Sequence, residues 1–330
     1  MKVFVSGGSG FVGRNLITAL VARGDAVVAL ARSDAAAATV EALGARAVRG
    51  DLGETAALRG GMSGCQVVFH SAALVDQWGD PGEFERVNVA GTANMLEAAR
   101  SSGVPRFVHV GTEAVLAGGG PIRNVDETRP RAAHPIGLYP ASKARAEALV
   151  MGANGAGLET LVCRPRLIWG KGDGSVLPLM LEVMRKGQWA WISGGHYLTS
   201  TCHVRNVVEG LLLAAARGRP GEIYFLTDGA PLEFRAFITA QARAHGVEPG
   251  ERSVPRALLY AVAVLSEFAW RTLPLRGGPL ITRTALLLAG EEVTVSDAKA
   301  RRELGYVGHV SLEEGLAEIA AERHAGGGSR

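Results

Sequence analysis

Short apolar runs alternate with longer stretches of helical periodicity through the first half of the chain. The runs are rich in Val, Leu, Ala and Phe, which is typical of strands buried on both faces of a parallel sheet. Predicted strands cover residues 3–5, 26–31, 45–49, 67–71, 106–111 and 158–164, and predicted helices cover 35–43, 83–102 and 138–154. This alternation predicts right-handed βαβ crossovers, and therefore an α/β protein built on a doubly wound parallel sheet.

The rhythm changes after residue 165. A helix is predicted at 177–185, and then a helix at 206–216 and a strand at 223–226 return the chain to the sheet. From residue 229 onward the sequence is helix-rich and is interrupted by prolines. We therefore predict a sheet domain formed by 1–165 and 203–228, a smaller, discontinuous, helix-rich lobe formed by 166–202 and 229–324, and a disordered tail at 325–330.

The first predicted strand leads directly into a glycine-rich turn. Gly7, Gly10 and Gly13 follow the strand at a spacing of three, and Phe11 and Val12 begin a stretch of helical periodicity. Glycines let the backbone turn tightly and approach a pyrophosphate, and the helix N-terminus offers that anion free N–H groups. These five residues therefore predict a dinucleotide site. An ordinary glycine turn is the alternative, but the position between strand and helix favours the site.

Tyr139 and Lys143 are four residues apart on the predicted helix 138–154, so they lie on one face of it. An ammonium beside a phenol lowers the pKa of the phenol, which predicts a tyrosine able to exchange a proton with a hydroxyl or ketone. The lysine can also hydrogen-bond a sugar hydroxyl. A surface pair is the alternative, but the chain has only five lysines and five tyrosines, which favours a catalytic pair.

Composition narrows the class of protein. The 330 residues are 47% hydrophobic and 20% charged, and the net charge of +3 is too small to indicate nucleic-acid binding. Cys65, Cys163 and Cys202 lack the spacing of a metal site and are interpreted as buried, reduced thiols, so we expect no metal. No signal peptide precedes the first strand, and we expect a cytoplasmic location.

With these motifs together, the chain resembles an extended short-chain dehydrogenase/reductase of the NAD(P)-dependent epimerase/dehydratase superfamily. Its hydrophobic second half most resembles the branch related to 3β-hydroxysteroid dehydrogenases. The resemblance implies a Rossmann-type sheet with a smaller substrate-binding lobe. The stretches that carry it are 7–13, 50–52, 70–73, 87–92, 126–130, 139–143, 164–165, 203–207, 297–300 and 303–306.

The resemblance also implies roles for individual residues. Strand 106–111 is followed by Thr112, which is expected to hold the substrate oxygen beside Tyr139. His70, His109 and His203 are interpreted as packing residues. Further cofactor contacts are expected from Asp51 and Leu52 at the adenine, from Ser71, Ala72 and Ala73 along the cleft, from Lys143 at the ribose and from Pro165 at the nicotinamide.

Strand 26–31 ends without the acid that NAD-specific sites use for the ribose hydroxyls. Arg32 and Ser33 stand there instead, and a guanidinium can pair with a 2′-phosphate while a hydroxyl adds a hydrogen bond. We therefore predict a preference for NADP(H), with NAD(H) as the alternative. The nearby Asp34 complicates this prediction, although it is expected to lie beyond the contact.

These residues predict an NADP(H)-preferring oxidoreductase that interconverts a secondary alcohol and a ketone. One alternative is a sugar-nucleotide epimerase or dehydratase. Dehydratases usually carry an Asp-Glu pair after the Ser or Thr, whereas Thr112 is followed by Glu113 and Ala114. The other alternative is a catalytically silent NADP-sensing protein, but such proteins typically lose the Tyr or the Lys.

The second lobe contains long apolar runs, at 257–265, 280–281 and 285–289. None reaches the roughly 18 residues of a membrane-spanning helix. A helix that is apolar all round needs burial on every side, so part of this surface is expected to meet a ligand, a membrane or a partner such as a second copy. We predict a large apolar hydroxy or keto substrate, steroid-like or long-chain. The alternative is a phosphorylated substrate, whose phosphate would pair with arginines at 252, 256, 271, 276 and 283.

Overall fold

The computed structural model describes residues 1–174, 177–273, 275–279 and 281–326. Its strands are β1 (Lys2–Ser6), β2 (Ala26–Ala31), β3 (Arg46–Arg49), β4 (Val67–His70), β5 (Arg106–Val110), β6 (Ile122–Val125), β7 (Glu159–Pro165), β8 (Ile168–Trp169), β9 (Trp191–Ile192), β10 (Leu198–Thr199), β11 (Cys202–His203), β12 (Ile223–Leu226), β13 (Leu232–Glu233), β14 (Ser253–Val254) and β15 (Val293–Val295). Its α-helices are α1 (Phe11–Ala22), α2 (Asp34–Ala42), α3 (Thr55–Met62), α4 (Pro81–Phe84), α5 (Gly91–Ser101), α6 (Leu138–Gly152), α7 (Leu177–Arg185), α8 (Val204–Arg217), α9 (Phe234–Ala244), α10 (Arg256–Thr272), α11 (Arg283–Ala289), α12 (Ala298–Leu304) and α13 (Leu312–Gly326). A π-helical segment, Glu85–Ala90, joins α4 to α5.

Seven parallel strands form the central sheet, in the order β3-β2-β1-β4-β5-β7-β12. The chain starts in the middle, builds outward to β3, and then crosses back to β4 on the other side of β1. Ligands of such sheets bind at the carboxyl ends of the strands, where this reversal opens a crevice. The predicted Rossmann-type α/β fold is confirmed, including the return of 223–226 to the sheet beside β7.

Apolar side chains cover both faces of the central sheet. Along β1, Val3 and Val5 pack in the cluster that includes Leu16 of α1 and Leu211 of α8, whereas Phe4 packs in the cluster on the opposite face. Successive residues of a strand point to opposite faces. A strand apolar at every position is therefore buried between two helical layers, as the sequence pattern predicts.

Two segments pack differently from the predicted division into lobes. β6 lies in the range assigned to the sheet domain, but it pairs with β15 in a second, four-stranded sheet of order β13-β10-β15-β6. Ala300 and Leu304 of α12 lie in the range assigned to the lobe, but they are buried in the core of the central sheet. We therefore propose the predicted division with two changes: β6 belongs to the smaller lobe, and α12 belongs to the sheet domain.

The far C-terminal prediction falls partly outside the described residues. α13 extends to Gly326, so the first two residues of the predicted tail are helical, and 327–330 lie outside the described part of the chain. Leu280 of the predicted apolar run also lies outside it. Cys65, Cys163 and Cys202 are free and buried, as predicted. Among the described helices, none combines the length and the hydropathy needed to cross a membrane.

Candidate active site

The glycine turn between β1 and α1 lies at the centre of the carboxyl edge of the sheet. Gly7 has φ +70°, and a Cβ there would lie 2.6 Å from the backbone nitrogen of Ala72 at the exit of β4. A Cβ at Gly13 would lie 2.0 Å from the carbonyl oxygen of Gly7. Gly10 precedes α1 as an N-cap without a side chain, so no side chain caps the N–H groups of the first turn, which begins at Phe11. This turn fits a dinucleotide pyrophosphate.

The end of β2 presents basic groups to the same edge. Arg32 is exposed, and Ser33 caps α2 by accepting the Ala36 N–H over 3.2 Å. Because Ser33 uses an oxygen lone pair for the cap, its hydroxyl proton remains available to a ligand. Asp34 is paired with Arg49, at 3.1 Å between the carboxylate and the guanidinium, at the end of the neighbouring β3. The acid that complicated the cofactor prediction is therefore neutralised.

The other predicted cofactor residues also follow strands of the central sheet. Asp51 and Leu52 come after β3, Ser71, Ala72 and Ala73 come after β4, and Pro165 is the last residue of β7. Ala72 N–H donates to Ser6 Oγ at the end of β1 over 3.3 Å, which ties the two strand exits together. These positions agree with a cofactor lying across the carboxyl edge of the sheet, and their individual contacts stay predictions.

Tyr139, Lys143 and Thr112 are supplied by two neighbouring elements. Tyr139 and Lys143 lie in the first turns of α6, and Thr112 follows β5. The hydroxyl of Thr112 is close enough to Tyr139 for a hydrogen bond. Lys143 is buried, and its Nζ donates to the carbonyl oxygen of Val110 over 2.8 Å. The structure thus brings the three predicted catalytic residues together around the end of β5.

The pKa of Tyr139 nevertheless lies above its ordinary value. Burial is the main cause, and the negative charge of Glu113 adds to it. The expectation that Lys143 lowers this pKa is therefore wrong for the protein in this state, because the Lys143 ammonium is engaged by β5 instead. Burial lowers the pKa of Lys143 itself to about 8, although Glu147 opposes that shift. A protonated phenol is a proton donor, which suits the reduction of a ketone.

Glu113 is a member of the site that the sequence did not single out. Its Oε2 accepts the Thr112 hydroxyl over 3.0 Å, and its Oε1 accepts from Arg166 Nη1 over 3.0 Å. Both charged side chains are buried. Arg166 Nη2 also donates to Thr199 Oγ1 over 3.2 Å and to the carbonyl oxygen of Leu288 over 2.5 Å. An ion pair therefore connects Thr112 to the second lobe at α11.

His109 also contributes to the site, although the sequence analysis assigned it to packing. Its Nε2 lies 3.1 Å from Lys143 Nζ, which can only donate, so Nε2 accepts and the proton is on Nδ1. Burial and the neighbouring Lys143 charge hold the pKa of His109 well below its usual range. A neutral His109 thus accepts a hydrogen bond from the ammonium without repelling its positive charge. A histidine inside an apolar strand gives no sequence signal of such a contact.

His70, in contrast, connects the end of β4 to Ser6 of β1 and to Thr92 of α5. Its Nδ1 lies 2.7 Å from Ser6 Oγ and its Nε2 lies 2.9 Å from Thr92 Oγ1. Thr92 donates its own proton to the Asn88 carbonyl, so it accepts from His70, and Ser6 in turn donates to Nδ1. Burial and the charge of Lys143 lower the pKa of His70 to about 3. His70 is therefore a neutral structural residue, as the sequence analysis expected. His203 is structural too, because it caps α8.

The π-helical segment positions Asn88 between the loop after β4 and helix α6. Asn88 Nδ2 donates to Ser142 Oγ on α6 over 2.9 Å and to the carbonyl oxygen of Leu74 over 2.9 Å, while Oδ1 accepts the Leu74 N–H over 2.7 Å. An insertion of one residue into a helix commonly marks a functional site. Asn88 thereby locks the loop after β4 against the helix that carries Tyr139. The sequence predicted a helix here but not its π register.

The second lobe approaches the site through α11. Thr284 Oγ1 donates to the carbonyl oxygen of Ile136 over 3.0 Å, three residues before Tyr139, and Thr282 Oγ1 donates to Gln77 over 3.0 Å. The described part of the lobe therefore closes over the N-terminus of α6 and the loop after β4.

The class of the chain is an NAD(P)-dependent oxidoreductase of the extended short-chain dehydrogenase/reductase type, and the glycine turn and the Tyr139 and Lys143 pair agree with it. The chain belongs to the 3-beta hydroxysteroid dehydrogenase/isomerase family, whose model matches residues 4–256.

Relatives of known activity cover the whole length of the chain. It is 49% identical over 329 residues to the 4-hydroxy-2-methyl-3-oxo-4-farnesyl-3,4-dihydroquinoline-1-oxide ketoreductase of Stigmatella aurantiaca, covering 100% of this chain and 98% of that protein. It is 33% identical over 348 residues to a 2-alkyl-3-oxoalkanoate reductase of Stenotrophomonas maltophilia, covering 98% and 100%. The crystal structure of the dTDP-glucose 4,6-dehydratase DesIV from Streptomyces venezuelae superposes with a TM-score of 0.78 at 24% identity, covering 99% and 98%, which shows a shared fold.

Proposed function

We propose that the protein is a ketoreductase that uses NADPH to reduce a keto group on a large apolar substrate. The observation that carries this proposal is the meeting of Tyr139, Thr112 and buried Glu113 at the end of β5. Glu113 favours the protonated form of Tyr139, and reduction of a ketone consumes a proton at the carbonyl oxygen.

The bound cofactor would supply a hydride from its nicotinamide C4, beside Pro165 at the end of β7. The phenol of Tyr139 donates its proton to the substrate oxygen as that oxygen becomes an alcohol. Thr112, whose proton goes to Glu113, accepts from Tyr139 and so orients the phenol, and Ala114 N–H fixes Thr112 Oγ1 over 3.2 Å. The ammonium of Lys143 has three N–H donors, of which Val110 and His109 engage two. The third is free for a ribose hydroxyl.

A preference for NADPH is supported by Arg32 and Ser33. Arg32 is exposed beside the cleft, Ser33 has a free hydroxyl proton, and the neighbouring Asp34 forms an ion pair with Arg49. A guanidinium and a hydroxyl together match a 2′-phosphate, whereas NADH would leave both without that partner.

An apolar substrate is supported by the second lobe and by the relatives. The two named relatives are reductases of a farnesylated ring ketone and of an alkyl-oxoalkanoate, and both names describe a keto group attached to a long apolar portion. In this chain, α11 carries the buried Leu286 and Leu287 and is bonded to the loop at 74–79 through Thr282 and to Ile136, before α6, through Thr284. We propose a ring ketone with a prenyl or alkyl chain as the substrate class.

Oxidation of NADPH by a panel of ketones tests the function, followed by absorbance of the reduced nicotinamide. We expect turnover of prenylated or long-chain ring ketones and none of a nucleotide-diphosphate sugar. Tyr139→Phe should reduce kcat by about 100- to 10,000-fold with cofactor binding retained, and Tyr260→Phe, on the exposed side of α10, is the matched control. Conversion of a sugar nucleotide without net redox would contradict the proposal, as would cofactor binding with no turnover of any ketone.

A further inference from the structure

The long helix α10 buries its one acidic residue and directs large apolar side chains outward. Ala263 and Glu267 are buried, whereas Leu258, Leu265 and Phe268 are 58%, 69% and 66% exposed. Residues 258, 261, 262, 265, 268, 269 and 272 recur at helical spacing, so they form one continuous face. A helix on the surface of a globular protein ordinarily shows the opposite arrangement. We call these seven positions the outer face of α10.

The inward acid is fully used by the protein. Glu267 accepts the Arg283 N–H over 2.7 Å and the Arg283 Nε over 2.9 Å, so this charge is neutralised inside the lobe. α10 is described over its whole length, and Glu267 is its one acidic residue. The outer face therefore presents apolar side chains, with Thr272 at its C-terminal end, and no negative charge.

Basic residues stand near both ends of the outer face. Arg271 lies in the last turn, 3.8 Å from Glu267, whose charge Arg283 already neutralises, and its guanidinium stacks over Trp78. Arg276 follows the helix and Arg252 precedes it, and both are exposed. Aromatic and basic side chains around an exposed apolar helix face are typical of helices that lie in the interface of a membrane.

We propose that the outer face of α10 docks on the surface of an anionic lipid bilayer. Apolar side chains enter the boundary of the acyl chains, and Arg252, Arg271 and Arg276 meet the anionic headgroups. A second copy fits this face less well, because arginines stand near both ends of the helix. Pairing two copies in either orientation would bring guanidinium groups together without an acid of α10 to compensate them. Lipid phosphate supplies that missing charge.

Docking there would place the substrate path at the membrane surface. Ser266 of α10 lies within hydrogen-bonding distance of Ile281, and Thr282 and Thr284, which begin the next helix, bond the loop after β4 and the residue before Gly137. The docked face therefore belongs to the same structural unit that closes over Tyr139. The inference goes beyond the proposed reduction, because it concerns where the protein meets a lipid-dissolved substrate.

Sedimentation with vesicles tests docking without any measurement of activity. The probes are vesicles of phosphatidylcholine alone and of phosphatidylcholine with phosphatidylglycerol. We expect the full chain to bind the anionic vesicles, and binding to weaken at high salt. The double variant Leu265→Glu/Phe268→Glu should reduce the partition coefficient by at least about tenfold, because burying each large apolar side chain contributes more than a factor of ten. Arg271→Gln/Arg276→Gln should reduce binding to the anionic vesicles alone.

The matched control is Leu179→Glu, because Leu179 is an exposed apolar residue of α7, outside this face. It should leave vesicle binding unchanged. Two results would overturn the proposal. One is a wild-type protein that stays in the supernatant with both vesicle types. The other is a dimer in solution that the Leu265→Glu/Phe268→Glu variant converts to a monomer, since α10 would then be covered by a second copy. Neither result depends on which ketone the enzyme reduces.

Discussion

The hydroxyl of Thr112 donates its single proton to Glu113 Oε2, 3.0 Å away. A carboxylate that is paired with an arginine only accepts, so the direction of this bond is fixed. One lone pair of Thr112 accepts the Ala114 N–H, so Thr112 meets Tyr139 with the remaining lone pair. Between the two hydroxyl residues, Tyr139 is the one left to donate a proton to a carbonyl oxygen. The charge on Glu113 also favours the protonated form of Tyr139.

Glu113→Gln tests this arrangement. The amide can donate to Thr112, which frees the threonine proton, and it removes the charge that raises the pKa of Tyr139. We expect kcat to fall by about tenfold, as for the loss of one charge-assisted hydrogen bond. We also expect the alkaline limb of the pH profile to move to lower pH. Steady-state kinetics from neutral to alkaline pH measures both.

A double-mutant cycle with Thr112→Ala separates a positioning role from a purely structural one. If Glu113 acts through Thr112, Glu113→Gln should cause little further loss of kcat in the Thr112→Ala background. Fully additive losses would show that Glu113 acts elsewhere. Thermal unfolding of each variant checks that the protein stays folded when the buried Arg166 loses its charged partner Glu113.

Arg32→Ala should weaken NADPH binding and leave NADH binding nearly unchanged, because only NADPH carries the 2′-phosphate. The loss of a charge-assisted pair corresponds to about 1.5–3 kcal/mol, or roughly 10- to 150-fold in Kd. Binding constants for both cofactors, from nicotinamide fluorescence, measure this. Equal wild-type affinities for the two cofactors would refute the preference.

Cofactor affinity should depend on pH through Lys143. Burial lowers the pKa of this lysine to about 8, so the ammonium is present below that pH and is lost as the pH rises through it. The neutral amine is a weaker donor to a ribose hydroxyl. Kd for NADPH is therefore expected to increase above pH 8, and Lys143→Met should bind weakly with no such dependence. A wild-type Kd that stays flat to strongly alkaline pH would count against the role of Lys143.

The fold is expected to depend on an ion pair under α6. Arg164 and Glu147 are both buried and form two hydrogen bonds, of 2.8 Å and 2.6 Å. Arg164→Met leaves Glu147 buried with Arg131 as its remaining ion-pair partner among the described residues, which should reduce the free energy of unfolding by about 3–5 kcal/mol.

Arg145→Met is the control for this stability prediction, because it removes a comparable pair with Glu85 at the surface, where such a pair contributes about 0–1 kcal/mol. Chemical denaturation measures both variants. Equal effects would mean that burial does not distinguish the two pairs.

The sequence was sufficient for the sheet because its strands carry a local signal. Fully apolar runs such as 26–31 and 106–110 can only be buried, and the glycine turn at 7–13 fixes where the first crossover begins. The Tyr139 and Lys143 spacing likewise predicts a shared helix face. These features depend on neighbours within one turn or one strand, which a sequence pattern records directly.

Glu113 and Arg166 could not be paired from the sequence, because 53 positions separate them and their contact exists only after β5 and β7 lie side by side. The same holds for His109 and Lys143. The pKa of Tyr139 was predicted in the wrong direction for a related reason. Sequence spacing places Lys143 near the phenol. It does not show that burial and the carboxylate of Glu113 raise the pKa of that phenol while the ammonium is bound at the end of β5.

Arg166 connects the part of the protein expected to bind the reacting carbonyl with the lobe expected to bind the apolar tail of the substrate. One guanidinium bonds both the carboxylate that orients Thr112 and the last turn of α11, at the Leu288 carbonyl. A hydrocarbon tail that displaces α11 would move Arg166. Because Arg166 holds Glu113, that movement would change the direction of the Thr112 proton beside Tyr139. Tail length should then alter how fast the bound ketone reacts, and not only how tightly it binds.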